Sequence, residues 1–267
     1  MKIDYGTLLC GLPIELTIGA SIVQPHLYEI AKIGFETFYH YEALISLTPK
    51  EYYTTIMGEN GKQIWDKLDN DSRDNLQIYD VVEKEEWLQQ SYTLVFNFFF
   101  DTPVKYYVID NDGYFMFVKD TNIDVDQLDI DKDVYGAISR GSFSSVLGLI
   151  RQVCCMEDEY DDEEPKFKNE KAKQIYYKLK KAKDEMKKAK KSDPNLSLPN
   201  IISAVSNTHP TINPLNVWNL TVFQLLDSFT RLQSNKIYDI NATSVSVWGD
   251  EKKQFDFSLW YKKNDNN

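Results

Sequence analysis

Thr93-Leu94-Val95-Phe96-Asn97-Phe98-Phe99-Phe100, Val104-Lys105-Tyr106-Tyr107-Val108-Ile109 and Tyr114-Phe115-Met116-Phe117-Val118 are runs of β-branched and aromatic residues. Such side chains fit a pleated, half-buried surface, so these runs read as the best strands in the chain. Between the last two lies Asp110-Asn111-Asp112-Gly113, where Asn and Asp ahead of Gly suit the positive φ angles of a tight hairpin turn. A central antiparallel β element is expected, and the flanking sequence decides what packs on it.

Upstream, Leu8, Leu9, Leu12, Ile14, Leu16 and Ile18 are interrupted by Gly6, Gly11 and Pro13, which reads as short strands joined by turns. Over residues 26–47 the apolar positions Leu27, Ile30, Ile33, Phe38, Tyr41, Leu44 and Ile45 recur by threes and fours, predicting a helix broken at Gly34. Thr48-Pro49-Lys50-Glu51 offers a cap, a proline at the first helical position and an acid in the first turn, so a second helix begins there and ends near Gly58. Further helices are expected over residues 62–68 and 71–83, with Asp71 as the cap of the latter. Downstream of the hairpin, residues 134–156 carry Ile138, Val146, Leu147, Ile150 and Val153 and read as one helix, with Ser142 as its cap.

The clearest boundary is Glu157-Asp158-Glu159-Tyr160-Asp161-Asp162-Glu163-Glu164-Pro165, an acidic block that repels itself and is closed by proline. Residues 166–191 are rich in lysine, with Ile175, Leu179, Ala182, Met186 and Ala189 at alternating spacings of four and three, a one-sided apolar stripe on a charged helix. As a nucleic-acid arm this segment lacks arginine and any docking motif, and the acids beside it compete for its lysines. As a membrane-surface helix it carries two alanines where bulky residues belong. A solvated connector, or a helix that pairs with a partner's helix or with another copy of the chain, fits better. In the pairing case Ile175, Leu179, Ala182 and Met186 are the expected partner-binding residues.

Beyond Asp193-Pro194, a short helix is expected around Ile201, Ile202, Ala204 and Val205. The main element of this region spans residues 215–232, with Leu215, Val217, Trp218, Val222, Leu225, Leu226, Phe229 and Leu232 on a broad apolar face. Residues 243–248 read as a strand, and Trp218, Phe229 and Trp248 as core-filling aromatics. The expected fold is α+β and mainly helical. It comprises an N-terminal α+β domain with a central β-hairpin over residues 1–156, an acidic linker and lysine-rich amphipathic helix over 157–196, and a C-terminal helical unit with a short strand over 197–267.

Composition narrows the function. Aromatic residues at 13% argue for a buried core, and a formal charge of −11 repels nucleic acid and anionic lipid except at a local basic segment. Residues 1–11 lack a basic stretch followed by an apolar run, and residues 93–100 are too short to cross a bilayer, so a cytoplasmic, non-secreted protein is expected. Cys10, Cys154 and Cys155 are an odd number whose adjacent pair could bridge only under strain, which fits a reducing compartment. Cys154 and Cys155 read more readily as small hydrophobes at a helix end than as a redox switch or metal ligands.

No catalytic, cofactor-binding or metal-binding residues emerge. Counting from Asp129, the sixth and twelfth positions of a calcium loop are Val134 and Arg140 instead of Gly and Glu. His26, His40 and His209 are not spaced as a zinc pair. Gly58-Glu59-Asn60-Gly61-Lys62 is followed by Gln63 where a phosphate loop needs Ser or Thr. Gly141-Ser142-Phe143-Ser144 is not a glycine-flanked nucleophile elbow.

Ile212-Asn213-Pro214-Leu215-Asn216-Val217-Trp218-Asn219-Leu220-Thr221-Val222-Phe223-Gln224-Leu225-Leu226-Asp227-Ser228-Phe229-Thr230-Arg231-Leu232 resembles proteins encoded in tail-assembly regions of phages of Gram-positive bacteria. The likeness continues in Ser246-Val247-Trp248-Gly249 and Phe255-Asp256-Phe257-Ser258-Leu259-Trp260, and near the N-terminus in Ile22-Val23-Gln24-Pro25-His26-Leu27-Tyr28-Glu29-Ile30-Ala31-Lys32-Ile33-Gly34. The resemblance implies a non-enzymatic tail assembly chaperone in the host cytoplasm. Its partners would be phage tail proteins: the tape-measure protein, held soluble while tail-tube subunits polymerise around it. It implies no cofactor and no membrane. A structural virion component of neck or baseplate, a nucleic-acid-binding protein and an enzyme are the alternatives, in falling order, and self-association through the linker helix is left open.

Overall fold

The computed structural model describes residues 2–123, 127–156, 193–250 and 255–262, and the chain divides into two compact units, Met1–Met156 and Glu157–Asn267. The architecture is α+β and mainly helical, with one antiparallel sheet of two strands and one of three among the described residues.

In the first unit Asp4 caps α1 (Tyr5–Cys10) by accepting the Thr7 amide at 3.2 Å. Leu8 and Leu9 therefore lie on a helix, where short strands were expected, because the Asp4 cap satisfies backbone donors that a strand would have paired elsewhere. β1 (Ile14–Glu15) and β2 (Ser21–Ile22) form the two-stranded sheet. α2 (Leu27–Ile33) and α3 (Phe35–Ile45) are split at Gly34, whose φ of 94° is open to glycine at little cost. A Thr48–Glu51 capping box starts α4 (Pro49–Glu51), which passes through a π-helical turn, Tyr52–Ile56, into α5 (Gly58–Lys67). The helix expected to end near Gly58 thus resumes there. Asp69, not Asp71, caps α6 (Asn70–Asn75), and α7 (Ile78–Val82) is a separate element.

The largest departure from the sequence reading is α8 (Glu86–Phe99), which contains most of the first run taken as a strand. Leu88, Tyr92, Val95, Phe96 and Phe99 have no exposed surface, and their spacing of four, three, one and three is that of one helical face. That period starts at Leu88, ahead of the run, and Leu94 on the other side is 59% exposed. Strand propensity loses here because it mostly measures fit to a pleated surface, and a helix buries these residues more completely. Asn97 closes the helix by pairing both of its amide atoms with the Val104 backbone, at 2.8 and 2.9 Å, and so sets the start of β3.

β3 (Val104–Ile109), β4 (Asp112–Val118) and β5 (Val134–Ile138) make the three-stranded sheet in that order. Its hairpin turns on Asp110 and Asn111, with φ of 53° and 70°, a two-residue turn whose hand matches the strand twist. After α9 (Ile130–Asp133), Ile138 completes β5 opposite Phe115. The helix α10 (Arg140–Val153) starts only after Ser139, which caps it with Ser142 as the third helical residue. The single helix expected over residues 134–156 is therefore a strand followed by a helix, and Ser142 supports the cap instead of being it.

These elements meet in an aromatic core. The Phe96 ring lies 4.9 Å from Phe115 and 5.8 Å from Phe143, and Phe143 also packs 5.1 Å from Tyr92 and 5.0 Å from Tyr79. The tyrosines bring polar ends inside, and each finds a carbonyl: the Tyr92 hydroxyl donates to Leu44 at 2.7 Å, and the Tyr79 hydroxyl donates to Gly113. Burial pushes both phenols well above their ordinary range. On the other side of the sheet, Tyr107, Met116 and Val118 are packed with Leu128, Val134 and Ala137. The loop between β1 and β2 presses onto β5 so closely that a Cβ on Gly136 would stand 1.8 Å from the Ile18 carbonyl oxygen.

In the second unit a 3₁₀ turn, Pro194–Leu196, precedes α11 (Leu198–Thr208), and another, Val217–Asn219, precedes α12 (Val222–Trp248). α11 buries Ile201, Ile202 and Val205 and packs with α12, which buries Val222, Phe223 and Leu225 near its start. The main helix was expected over residues 215–232, but Leu215 is 90% exposed and outside it. A Thr221–Gln224 capping box fixes the true start. Residues 243–248, expected as a strand, continue α12. Their hydroxyl groups join the helix: Thr243 Oγ1 donates to Asp239 O and Ser246 Oγ to Thr243 O, both at 2.8 Å.

Two outcomes test this fold. Gly136→Ala should lower the unfolding free energy by about 1–3 kcal/mol in urea denaturation, since the added methyl meets backbone. Asp80 on α7 accepts two bonds from Arg140 on α10. Burial raises its pKa, but the bonds from Arg140 and the Gln77 amide outweigh this, so the carboxyl titrates below its ordinary range. Its contribution is therefore complete above about pH 4 and is lost as pH falls through the lowered folded value. Arg140→Ala should destabilise the protein at neutral pH, and the gap to wild type should shrink in urea melts near about pH 3.

Candidate interaction surface

The start of α12 is a core element and its end is not. Beyond Asp239 the helix carries no ionisable side chain: residues 240–249 read Ile-Asn-Ala-Thr-Ser-Val-Ser-Val-Trp-Gly. Within the last turns Ile237, Ile240, Val247 and Trp248 are 51%, 68%, 65% and 81% exposed. At 100° per residue Ile237, Ile240, Ser244 and Val247 share one face, with Trp248 at its margin. The stripe runs about 16 Å along the axis from residue 237 to 248 at 1.5 Å per residue.

The opposite face is covered by the chain's own return. At Gly249 the helix ends, and the Phe255 amide donates to Asp250 at 3.0 Å. Phe255 then packs 5.4 Å from Tyr238, and Arg231 Nη1 donates to Lys262 O at 2.7 Å. Residues 255–262 therefore run back along α12 in the antiparallel sense. Asp256 holds this return in a turn, accepting from Ser258 Oγ at 2.6 Å, Ser258 N at 2.9 Å and Lys262 Nζ at 3.4 Å. The Ser258 bonds chiefly, and Lys262 after them, keep its carboxyl below the usual aspartate range. The return covers the Tyr238 side and leaves the Ile240 side open, while Phe257, Trp260 and Tyr261 are themselves exposed.

Four apolar side chains, three of them in a run without charge, can do one kind of chemistry: they bury against another apolar surface. Several residues that could do other chemistry are engaged locally. His209 Nδ1 accepts from the Thr211 and Ile212 amides at 3.2 Å each, closing the end of α11. Lys132 pairs with Asp129 at 2.5 Å, and the Asp129 amide donates to Asp133. Among the described residues no group of three His, Cys, Asp or Glu is placed to hold a metal ion. An open cleft bordered by Asp101, Lys119 and Tyr135 has its charges committed, since Asp101 accepts the Ser21 amide at 3.1 Å and Lys119 donates to Lys132 O. Cys154 is buried at the end of α10, where burial first and then Glu42 push its thiol well up, and among the described residues no cysteine forms a disulfide.

The expected partner-binding residues Ile175, Leu179, Ala182 and Met186, together with the acidic block and the lysine-rich segment, lie outside the described residues. Trp218 and Phe229 are half-buried, with Trp218 Nε1 donating to Pro214 O at 3.0 Å. Trp248 is no core residue, and its exposure corrects the expectation that it fills one. Ile237, Ile240 and Val247 were not singled out from sequence because a strand assigned to residues 243–248 breaks the face they share. The capping box at Thr221 and Gln224, followed by helix-compatible spacing with no Gly or Pro before Gly249, was the signal that joins them.

Residues 187–265 match the family model of the YomV second domain. The match suggests a protein of phage type. It takes in α11, α12 and the return along it, so the open stripe lies within the part of the chain that is similar to the YomV second domain. No curated protein and no solved structure matches the chain. No described helix is long and apolar enough to cross a membrane.

Asp256→Ala should release the return without unfolding the unit, because its bonds are on the surface. Hydrogen–deuterium exchange is expected to quicken over residues 255–262 while residues 198–208 keep their protection.

Proposed function

We propose that this chain is a non-enzymatic protein-binding protein of phage tail morphogenesis, a tail assembly chaperone for the tape-measure protein. The observation that carries the reading is the open stripe of Ile237, Ile240, Val247 and Trp248 on α12, the last three of which lie in a run without charge. A helix rests on such a stripe through apolar side chains spaced by threes and fours. Full burial of a large apolar side chain is worth about 1.5–3 kcal/mol. Part of that gain is consumed by lost rotational freedom and ordering, so four such residues give reversible binding, as a chaperone requires. The phage-type match over residues 187–265 and the resemblance of residues 212–232 to tail-assembly-region proteins support the biological setting.

Affinity capture of the tagged chain from phage-producing cells, with mass spectrometry and a parallel assay of purified particles, tests the reading. The expected result is tape-measure or tail-tube protein in the lysate fraction and no tagged chain in particles. Ile240→Asp should cut that recovery about tenfold or more, since a charge would have to be desolvated at the contact. Presence of the chain in particles would make it a structural virion component, and capture of neither tail protein would overturn the reading.

A further inference from the structure

β3 lies at an edge of the three-stranded sheet, and its two sides can be told apart residue by residue. The Val118 amide donates to Pro103 O at 2.9 Å, and Val104 stands opposite Phe117, so residues 103, 105, 107 and 109 turn their backbone groups toward β4. Val104, Tyr106 and Val108 turn theirs outward. Asn97 takes up the outward groups of Val104, donating to its carbonyl at 2.8 Å and accepting its amide at 2.9 Å. Among the described residues the amides and carbonyls of Tyr106 and Val108 meet no such partner, and the Val108 side chain is 52% exposed. Strand edges are normally blunted by proline, lysine, a bulge or a cover. Here Pro103, Lys105 and the Asn97 amide guard only the start, whereas Tyr106-Tyr107-Val108-Ile109 is uncharged and pairs with β4 without a bulge. The register shift of this sheet falls on the β5 side, at Phe117–Val118.

We propose that two copies of this chain join through β3, antiparallel and two-fold about Tyr107, so that their three-stranded sheets become one. Tyr106 of each copy exchanges its outward backbone bonds with the other copy's Val108. What selects a second copy is the place where pairing has to stop. An incoming strand must leave the ladder opposite Val104, because Asn97 already fills that position. In this register the residue opposite Val104 is the other copy's Asp110, and β3 turns away there, with φ of 53°. Pairing about Tyr106 would set Val108 against the filled Val104 position, and pairing about Val108 would set Tyr106 against the turn. The side chains agree with the register. Each Tyr106 comes to lie beside the other copy's Val108, an aromatic against a β-branched residue, and covers its exposed surface. Lys105 stands opposite the other copy's Ile109, so no like charges face each other across the ladder. The pairing uses no residue of α12 and does not depend on the tail-assembly reading.

Sedimentation velocity of the full chain from about 5 to 500 µM tests this without any client. The average mass should climb toward that of two chains, and hydrogen–deuterium exchange over residues 106–109 should be slower at the upper concentration than at the lower. Val108→Pro removes an outward amide that β4 does not use, and Val108→Asp keeps the backbone but sets a charge against the other copy's Tyr106 ring. Each should raise the dissociation constant at least about tenfold, with circular dichroism unchanged. Where Val108→Pro alters the spectrum, Val108→Asp decides. A wild-type chain that stays monomeric throughout, a dimer indifferent to Val108→Asp, or concentration-dependent protection that misses β3 overturns the proposal.

Discussion

Phe96 has no exposed surface and touches Phe115 on β4 and Phe143 on α10, so one side chain joins the central helix, the sheet and the last helix of the first unit. Tyr92, one turn before it, extends the contact to Phe143 and spends its hydroxyl on the Leu44 carbonyl at the end of α3. Aromatic edges and faces at these distances add a small directional preference to a large burial term. The consequence reaches the ends of the unit. With α8 fixed, Val23 donates to Phe99 O at 2.8 Å and Asp101 to Ser21 O at 3.2 Å, which ties β2 to the helix end. Gln24 in turn ties down the first segment by donating to Thr7 O and Leu12 O.

The second unit is organised by a different constraint. A helix of 27 residues has more surface than α11 and a short return can cover. Its first turns bury Val222, Phe223 and Leu225, its Tyr238 side receives Phe255, and its Ile240 side receives nothing among the described residues. Apolar residues scattered singly on a surface are ordinary, but these share one helical face whose end, residues 240–249, carries no charge. That combination is what the proposed binding role rests on.

Much of the first unit was legible in the sequence because its signals are local. The Gly34 break, the Thr48–Glu51 capping box and the Asp110-Asn111 turn are each decided by a few neighbouring residues. The strand reading of residues 93–100 failed because β-branched and aromatic residues record burial as much as backbone preference. Only the longer period from Leu88 to Phe99 tells helix from strand. The same error at Thr243, Val245 and Val247 concealed the candidate surface, since a helix reaches these residues only by continuation from Thr221. Caps were also displaced by a few residues, from Asp71 to Asp69 and from Ser142 to Ser139, because several capping residues stand close together at both places.

The central claim is that the Ile240 face of α12 is where this protein meets a tail-assembly client. Hydrogen–deuterium exchange of the chain with and without purified tape-measure protein tests it most directly. The account predicts added protection over residues 236–248, with α8 unchanged. Binding that protects another surface and leaves residues 236–248 exchanging as in the isolated chain would contradict it.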